Sequence, residues 1–427
     1  MILIAVVVAA TIALWATGKL PEYLTSLLFL AVAAILQLAP VAVIFSGFTS
    51  AAFWLVLSGF VLGTAITRSG LAARLSAPLE THLRASWPKL VGGMVLMSYA
   101  LAFVMPSNMG RIALLMPIAL ALADRAGFAA GSRGRMGLAL AVGFGTYQLS
   151  ASVLPANVPN LVLSGAVESV FGLHLTYLPY LLLHAPVLGI LKGALIVACI
   201  VWLFPASPQP VAESASAMPW TSAEKRLLIL LLLTLALWMT DALHGISPAW
   251  IGLFAACMCL MPWFGLLDGE EFARGLNIRA CLYVGGLLGL SALVATSGLG
   301  ALIGRWLLQV LPLAADAPMR NLLSLVALAS ALAFVVTSNG VPAVLVPLAQ
   351  ELAHGAHLPL MGVLMSQVIG YATPWLPYQA APIVVAMALG GVPPKQGLKL
   401  CLAVAVGTCL LLLPLDLLWF KLLGYLG

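Results

Sequence analysis

Charged side chains are scarce in this chain of 427 residues. Only 7% of the residues are Asp, Glu, Lys or Arg, whereas 63% are hydrophobic. A soluble domain carries about 25% charged residues, and the 19 basic and 13 acidic residues here cannot cover a globular surface of this size. The composition therefore excludes a soluble enzyme, a nucleic-acid-binding protein and a disordered chain. It predicts an all-α polytopic membrane protein in contact with the lipid bilayer.

Zinc-type cysteine patterns and enzyme motifs are missing as well. The six cysteines lie in or beside apolar blocks without the spacing of a zinc site, so we expect packed, reduced thiols. The sequence contains no H-E-x-x-H, no G-x-S-x-G and no phosphate-binding loop. We therefore predict that the protein is not an enzyme and holds no cofactor.

Long apolar stretches recur in two series along the chain. A membrane span needs about 20 apolar residues, and we predict five full spans in each of two repeats, 1–206 and 227–427. The only extended polar stretch, 207–226, lies between them and is predicted to be a cytoplasmic linker. The first apolar stretch has no basic segment before it and no clear cleavage site, so we interpret it as a retained span.

Each half also contains a pair of short apolar segments separated by polar residues. The separating residues are 106–111 in the first half and 337–342 in the second. Each segment is short for a full crossing, so each pair is interpreted as a re-entrant helical hairpin. A less apolar stretch precedes each pair, 70–90 and 299–317, and we expect it to lie in the membrane interface.

Three local sequence matches indicate that the two halves are repeats. They occur in the same order and at nearly the same offset, which chance does not readily produce in a Leu- and Ala-rich chain. The matching segments are SGLAARL with SGLGALI, ALAFVMPSN with ALAFVVTSN, and LPAN with LPYQ.

The two repeats are predicted to have opposite orientations. A hairpin that returns to its starting side adds no crossing, so five spans bring the second half in from the opposite side. Most of the 19 Lys and Arg residues then fall in loops on one side, which the positive-inside rule identifies as cytoplasmic. We expect a multi-pass protein of the cell inner (plasma) membrane with both termini outside.

The interruptions are candidate ligand sites. Irregular backbone at membrane depth persists only where protein buries it or where it lines a cavity, and paired breaks in inverted repeats mark the central site of a transporter. Helix starts attract anions, whereas carbonyl oxygens at helix ends can hold Na⁺. The candidate residues are Ser107, Asn108, Ser338 and Asn339 at the tips and Asn157, Asn160, Thr373, Pro377, Tyr378 and Gln379 in two broken spans.

Charged residues within the spans need separate interpretation. Arg111 at membrane depth is a functional candidate by default, because its guanidinium can bind a carboxylate or sulfate with two parallel hydrogen bonds. The alternative is that Arg111 reaches the cytoplasmic interface or forms a structural pair. Lys192 has no obvious acidic partner and is interpreted as structural, and Asp416 is expected to pair with Lys421 at the interface.

The segments SNMGRIALLMPIALALA, LPANVPNLVLSGAV, TSNGVPAVLVPLAQELA and TPWLPYQAAPIVVAMALGG resemble the divalent anion/sodium symporter family of the ion transporter superfamily. The resemblance implies an elevator-type transporter, usually a homodimer, in which a transport domain moves against a scaffold. The scaffold parts would be 1–69 and 227–298, the arms 70–90 and 299–317, and the transport parts 91–206 and 318–427.

The resemblance also implies roles for individual residues. Met109 and Gly340 stand where the family's two hairpin tips usually carry a substrate-contacting Thr, and Arg111 is a candidate replacement for lost anion contacts. The expected substrate-binding residues are Ser107, Asn108, Met109, Arg111, Asn160, Ser338, Asn339, Gly340, Tyr378 and Gln379. The expected cation-binding residues, with Na⁺ at the hairpin tips, are Ser107, Asn108, Ala156, Asn157, Ser338, Asn339, Thr373 and Pro377.

The sequence therefore predicts a secondary active transporter of small anions, dicarboxylate-like or sulfate-like, with cation-coupled symport by an elevator mechanism. One alternative is the membrane subunit of a tripartite transporter that needs a separate binding protein. A second alternative is an integral membrane enzyme that acts on a lipid, against which the absence of a catalytic cluster argues.

Overall fold

The computed structural model describes residues 1–17, 19–71, 86–208, 219–314 and 316–426. Every regular element in these ranges is helical, which confirms the predicted all-α class. Helices suit so apolar a chain because they satisfy their backbone hydrogen bonds internally where lipid offers no partner.

The first half of the chain, up to the predicted linker 207–226, contains the following described helices. They are Ile2–Thr17, Glu22–Ile35, Val41–Ile44, Ser46–Thr49, Ala51–Ser69, Trp87–Ala102, Asn108–Arg125, Arg133–Ser150, Val158–Phe171, Tyr177–His184 and Lys192–Leu203, with a 3₁₀ turn at Leu154–Ala156 and a π-helical segment at Ala185–Leu191.

The second half contains a similar series. Its helices are Ser222–Met239, Asp241–His244, Pro248–Leu260, Gly269–Gly275, Ile278–Thr296, Leu299–Val310, Pro318–Leu345, Ala349–Ala356, Leu360–Tyr371, Ala381–Leu389, Pro394–Gly407 and Leu413–Leu422, with 3₁₀ turns at Val346–Leu348 and Pro377–Gln379 and a π-helical segment at Thr408–Leu412.

Several of these helices suit a bilayer. Five helical segments in the described ranges are long and apolar enough to cross a membrane, although one of them, Pro318–Ala356, bends at Thr337. Large hydrophobic side chains such as Leu243 and Ile2 lie exposed on the surface. These features are those of a multi-pass membrane protein. The five segments are Ala51–Ser69, Tyr177–Leu203, Ile278–Thr296, Pro318–Ala356 and Pro394–Leu422.

The first predicted hairpin is present as two helices, Trp87–Ala102 and Asn108–Arg125, joined at a tip of five non-helical residues. Its open end is closed by an edge-to-face contact between Trp87 and Phe128, whose ring centroids lie 5.6 Å apart. The start of one arm therefore lies beside the end of the other, and the chain returns to the side from which it came.

The second hairpin turns more sharply than the sequence predicted. The sequence predicted that six residues, 337–342, separate the two arms. That number is wrong, because only Thr337 leaves the helical conformation (φ 58°, ψ 171°) and Ser338 already starts the next helical turn. Asn321 closes the open end, since its amide nitrogen donates to the carbonyl oxygen of Ala356 at 2.8 Å. A single residue with positive φ redirects the chain here.

The two broken spans are also present, each followed by a long last span. The break after Arg133–Ser150 covers 151–157, and the break after Leu360–Tyr371 covers 372–380. Both last spans contain a π-helical segment near the middle, and these two segments pack against each other.

The predicted interfacial stretches have different outcomes. Leu299–Val310 is a helix that packs closely against the second hairpin, because Gly300 and Gly304 lie on Pro347 and Glu351. Most of the other stretch, 72–85, falls outside the described residues.

Helices from the two predicted scaffold parts pack against each other through small residues. A Cβ added to Gly286 would lie 2.4 Å from the Cβ of Ser26, so only glycine allows the helices Ile278–Thr296 and Glu22–Ile35 to approach this closely. Small residues allow this close backbone contact between apolar helices. The packed pair brings Tyr23 and Arg279 to one wall of the site described next.

Candidate functional site

A cavity of about 330 Å³ lies between the hairpin tips and the packed pair of scaffold helices. Ser107, Asn108 and Met109 of the first tip and Asn339 of the second tip line one part of it. Tyr23, Arg279 and Tyr283 of the opposite helices line another part. The cavity therefore brings together the two hairpin tips that the sequence predicted to form a central site.

In the described part of the protein, five helices begin at this cavity. Each presents its first residues to the lining, and the first N–H groups of a helix lack intrahelical acceptors and carry partial positive charge. Their convergence creates a positive potential that favours an anion. The helices are those starting at Glu22, Asn108, Val158, Ile278 and Ala381.

The first tip is organised by an N-cap. Ser107 has extended backbone dihedrals, and its hydroxyl accepts a hydrogen bond from the N–H of Gly110 at 3.1 Å. This bond fixes the start of the helix Asn108–Arg125, as a Ser at this position usually does. The cap holds the first tip in place at the cavity wall.

Arg111 is fully buried and is engaged by the protein itself. Its Nη1 donates to the carbonyl oxygen of Met105, and its Nη2 donates to the side-chain oxygen of Asn108. Nη2 also lies 3.2 Å from the carbonyl oxygen of Thr146 and 3.0 Å from that of Ala156. The guanidinium thus joins the hairpin tip to the first broken span, and it does not line the cavity.

Two asparagines organise the first break. The side-chain oxygen of Asn157 accepts from the N–H of Asn160 at 3.0 Å and caps the following helix. The amide nitrogen of Asn160 satisfies backbone carbonyls that the break leaves free. Its three acceptors are the oxygens of Ser150 (3.3 Å), Ala151 (3.1 Å) and Val153 (2.9 Å).

Tyrosines connect the broken span of the first half of the chain to that of the second half. The hydroxyl of Tyr371 donates to the side-chain oxygen of Asn160 at 2.8 Å, and the hydroxyl of Tyr147 donates to the carbonyl oxygen of Tyr371 at 3.0 Å. Each half therefore completes the hydrogen bonding of the other at its break.

The second tip presents one of its predicted residues to the cavity. Asn339 lines it beside Tyr283, whereas Ser338 is fully buried behind the surface. The sharp turn places Gly340 so close to Val336 that an added Cβ would lie 2.9 Å from the Val336 Cβ. A residue larger than glycine does not fit without movement of Val336.

The second break is capped by a glutamine. The side-chain oxygen of Gln379 accepts from the N–H groups of Trp375 at 2.7 Å and Leu376 at 2.8 Å. Tyr378 is half exposed, and its hydroxyl donates to the carbonyl oxygen of Phe334 at 3.0 Å. Both side chains support the break and the second hairpin.

Ten predicted site residues do not line the cavity. Arg111, Asn157, Asn160 and Gln379 among them instead make the hydrogen bonds described above at the first tip and the two breaks. The ten residues are Arg111, Ala156, Asn157, Asn160, Ser338, Gly340, Thr373, Pro377, Tyr378 and Gln379.

The expected pairing of Asp416 with Lys421 at the membrane interface was wrong. Asp416 is fully buried instead of lying at the interface, whereas Lys421 is exposed. Lys192, in the other last span, is fully buried as well. Its ammonium donates to the carbonyl oxygen of Ala372 and the hydroxyl of Thr373, both at 2.8 Å. The contacts of Lys192 could not be read from the sequence, because helix packing brings together residues far apart in the chain.

Sequence reasoning also missed Arg279. Of the cavity-lining residues that the structure describes, it is the only basic one, and Glu22 is the only acidic one. Its guanidinium carbon lies 5.5 Å from the centroid of the Tyr23 ring, within the range of a cation–π interaction. No local motif distinguishes Arg279 from the other basic residues near helix ends, and only the packing of its helix places it at the cavity.

These features define a helical multi-pass membrane protein of the transporter class. The chain belongs to the sodium:sulfate symporter family, because the profile described as "Sodium:sulfate symporter transmembrane region" matches residues 1–426. The family predicted from the sequence motifs is thereby confirmed, as is the prediction that the protein is not an enzyme.

Two relatives were found among known proteins. A Haemophilus influenzae protein described as an uncharacterized transporter is 22% identical over 408 residues, covering 92% of this chain and 84% of that protein. A Cupriavidus necator membrane protein is 24% identical over 273 residues, covering 62% of this chain and 52% of that protein. The match therefore spans about half the length of the Cupriavidus relative.

Two solved structures show a similar fold. The YdaH transporter of Alcanivorax borkumensis aligns with a TM-score of 0.57 and 16% identity, covering 90% of this chain and 88% of that one. MtrF of Neisseria gonorrhoeae, described as illuminating a class of antimetabolite efflux pumps, aligns with a TM-score of 0.51 and 13% identity, covering 90% and 84%. At this identity the likeness extends to the fold alone.

Proposed function

We propose that the protein is a secondary active transporter of small anions of dicarboxylate or sulfate size. The observation that carries the proposal is the cavity at the hairpin tips, where five helix starts converge beside Arg279. Membership of the sodium:sulfate symporter family supports the same class of substrate.

The charge and size of the cavity support this substrate class. Arg279 provides a guanidinium that can bind two oxygens of one anion. The carboxylate of Glu22, in the same lining, disfavours anions of high charge. A volume of about 330 Å³ is near the lower end of the range for small-molecule sites. The proposal therefore assigns anion binding to Arg279, Asn108 and Asn339 rather than to Arg111.

The proposed movement is that of an elevator. Hydrogen bonds between Tyr147, Tyr371 and Asn160 support treating the predicted transport parts, 91–206 and 318–427, as one moving unit. Gly59 of the scaffold part contacts Pro106 at the first tip, and a Cβ on Gly59 would lie 3.0 Å from the Pro106 Cβ. These residues would separate if the tip slides along the scaffold.

A disulfide between Gly59→Cys and Pro106→Cys tests the movement. Reconstituted in vesicles, the oxidised variant should transport at a small fraction of the reduced variant's rate, because the bond joins the moving and static parts. Equal rates before and after reduction would contradict the elevator.

The same proposal includes a homodimer, an inner-membrane location and termini on the outside. Mass measurement in detergent tests the homodimer, and reporter fusions at both ends test the location and the termini.

Anion binding is tested with purified protein and a panel of sulfate and dicarboxylates. A ligand at 100 times its dissociation constant stabilises the folded state by about 2.7 kcal/mol, so the bound anion should raise the melting temperature. Arg279→Gln should lower anion affinity at least about tenfold, because one charge-assisted contact contributes about 1.5–3 kcal/mol.

Arg274→Gln is the matched control, since Arg274 pairs with Glu270 on an exposed helix outside the cavity. An equal loss of anion binding in both variants, or no anion response in the unmodified protein, would contradict the proposed site. Uptake by the purified chain alone in vesicles would exclude the need for a separate binding protein.

A further inference from the structure

We propose that Arg111 and Lys192 are resident cations. Their charged groups bind the oxygen atoms at the two breaks that were expected to bind coupling Na⁺ ions. This inference deepens the proposed function, on which it rests for its transport role, by specifying the cation at each break. It means that Na⁺ is not needed to satisfy these oxygens.

The first break offers several oxygens to one positive charge. Asn108 and Ala156 were both predicted to bind Na⁺, and both now accept hydrogen bonds from the Nη2 atom of Arg111. The carbonyl oxygens of Met105 and Thr146 complete the set. Amide and carbonyl oxygens are ligands typical of hard cations, and here they converge on a guanidinium instead.

The second break has a corresponding arrangement built from a different helix. Thr373 was also predicted as a Na⁺ ligand, and its hydroxyl accepts from the Lys192 ammonium at 2.8 Å together with the carbonyl oxygen of Ala372. Lys192 belongs to the last span of the first half, so it reaches the break of the other half from 180 residues away in the chain.

Asp416 is a second buried ionisable residue in the last spans. It lies in the last span of the second half and is fully buried, and neither of its carboxylate oxygens accepts a hydrogen bond from the described part of the protein. Lys192 begins the helix that follows one π-helical segment and Asp416 lies in the helix that follows the other, and these two segments pack against each other. The Lys192 ammonium, held by the Ala372 and Thr373 oxygens, is the positive charge proposed for the second break.

The expected behaviour follows from occupancy by the side chains. Because each donor is covalently attached, its effective concentration at the oxygens does not depend on the salt in solution. The melting temperature of the purified full-length protein, measured without substrate, should be the same in NaCl and in choline chloride at equal ionic strength. A Na⁺-specific, saturable stabilisation of the unmodified protein would overturn the inference.

Removal of one resident cation sharpens the test. Lys192→Ala leaves the Thr373 and Ala372 oxygens without a donor and opens space for a small cation, so it should lower the melting temperature. Both NaCl and methylammonium chloride should then raise it by about 2–4 °C over choline chloride. An Lys192→Ala protein that responds to neither cation would overturn the assignment.

Lys421→Ala is the matched control, because Lys421 is exposed in the same last span as Asp416. It should show no Na⁺ response. If Lys192→Ala does not fold, the comparison of salts in the unmodified protein still decides. Because no substrate anion is present, a flat anion panel with these cation results would refute the proposed substrate class and leave the resident cations in place.

Discussion

The two hairpins show how differently two related segments can solve one structural problem. The first opens over five residues at its tip and is closed at its base by an aromatic contact between Trp87 and Phe128. The second bends at Thr337 alone and is closed by hydrogen bonds from Asn321. The two hairpins therefore both break between two helical arms, but different groups close their bases.

The largest difference is expected at the hairpin bases. Asn321→Ala removes a donor to the carbonyl oxygens of Ala314 and Ala356 and an acceptor for the N–H of Ala314. Loss of the buried hydrogen bond to Ala356 and of the two partly buried ones to Ala314 should lower the free energy of unfolding by about 3 kcal/mol. Phe128→Leu should cost only about 1 kcal/mol, because it keeps most of the apolar contact. Denaturant unfolding in detergent measures both, and equal losses would contradict the comparison.

A smaller difference is expected at the two breaks. Gln379→Ala leaves the N–H groups of Trp375 and Leu376 without their acceptor and should cost about 2 kcal/mol. Asn157→Ala removes one capping bond from the N–H of Asn160 and should cost about 1 kcal/mol. The same unfolding measurement ranks the pair, and a reversed order would show that Asn157 has a further role.

The tips should give the smallest effects, but with opposite signs. Thr337 has dihedral angles that glycine alone adopts readily, and a threonine in this conformation is strained by about 1–3 kcal/mol. Thr337→Gly should therefore stabilise the protein by about 1 kcal/mol. Ser107→Ala removes an N-cap and should destabilise it by about 1 kcal/mol. Stability measured without substrate provides the readout, and destabilisation by Thr337→Gly would show that the tip is not strained.

The positions of the breaks could be predicted from the sequence. Proline, serine and asparagine interrupt apolar runs at 106–111 and at LPAN, and local backbone chemistry is enough to end a helix there. The width of the second tip could not be predicted, because a single positive φ at Thr337 depends on the packing around it.

The partners of the buried charges could not be predicted. Arg111 donates to Thr146 and Ala156, and Lys192 donates to Thr373, through contacts between distant parts of the chain. Charge at membrane depth predicted a special role for Arg111. Its partners depend on how the helices pack, which neither composition nor spacing encodes locally.

The cavity itself was predicted in part. Ser107, Asn108 and Asn339 were expected from the breaks, and they line it. Arg279 and Tyr23 come from helices without interruptions, so no irregularity in the sequence marked them.

The π-helical segments Ala185–Leu191 and Thr408–Leu412 have a consequence for insertions and deletions in this family. A π turn contains one residue more than an α turn, so deleting one residue there, for example the exposed Ile190, leaves the flanking α-helices in the same rotational register. Deleting Val197 from the regular helix would rotate one flank by about 100° relative to the other. Natural length variation in the last spans should therefore concentrate at these two segments.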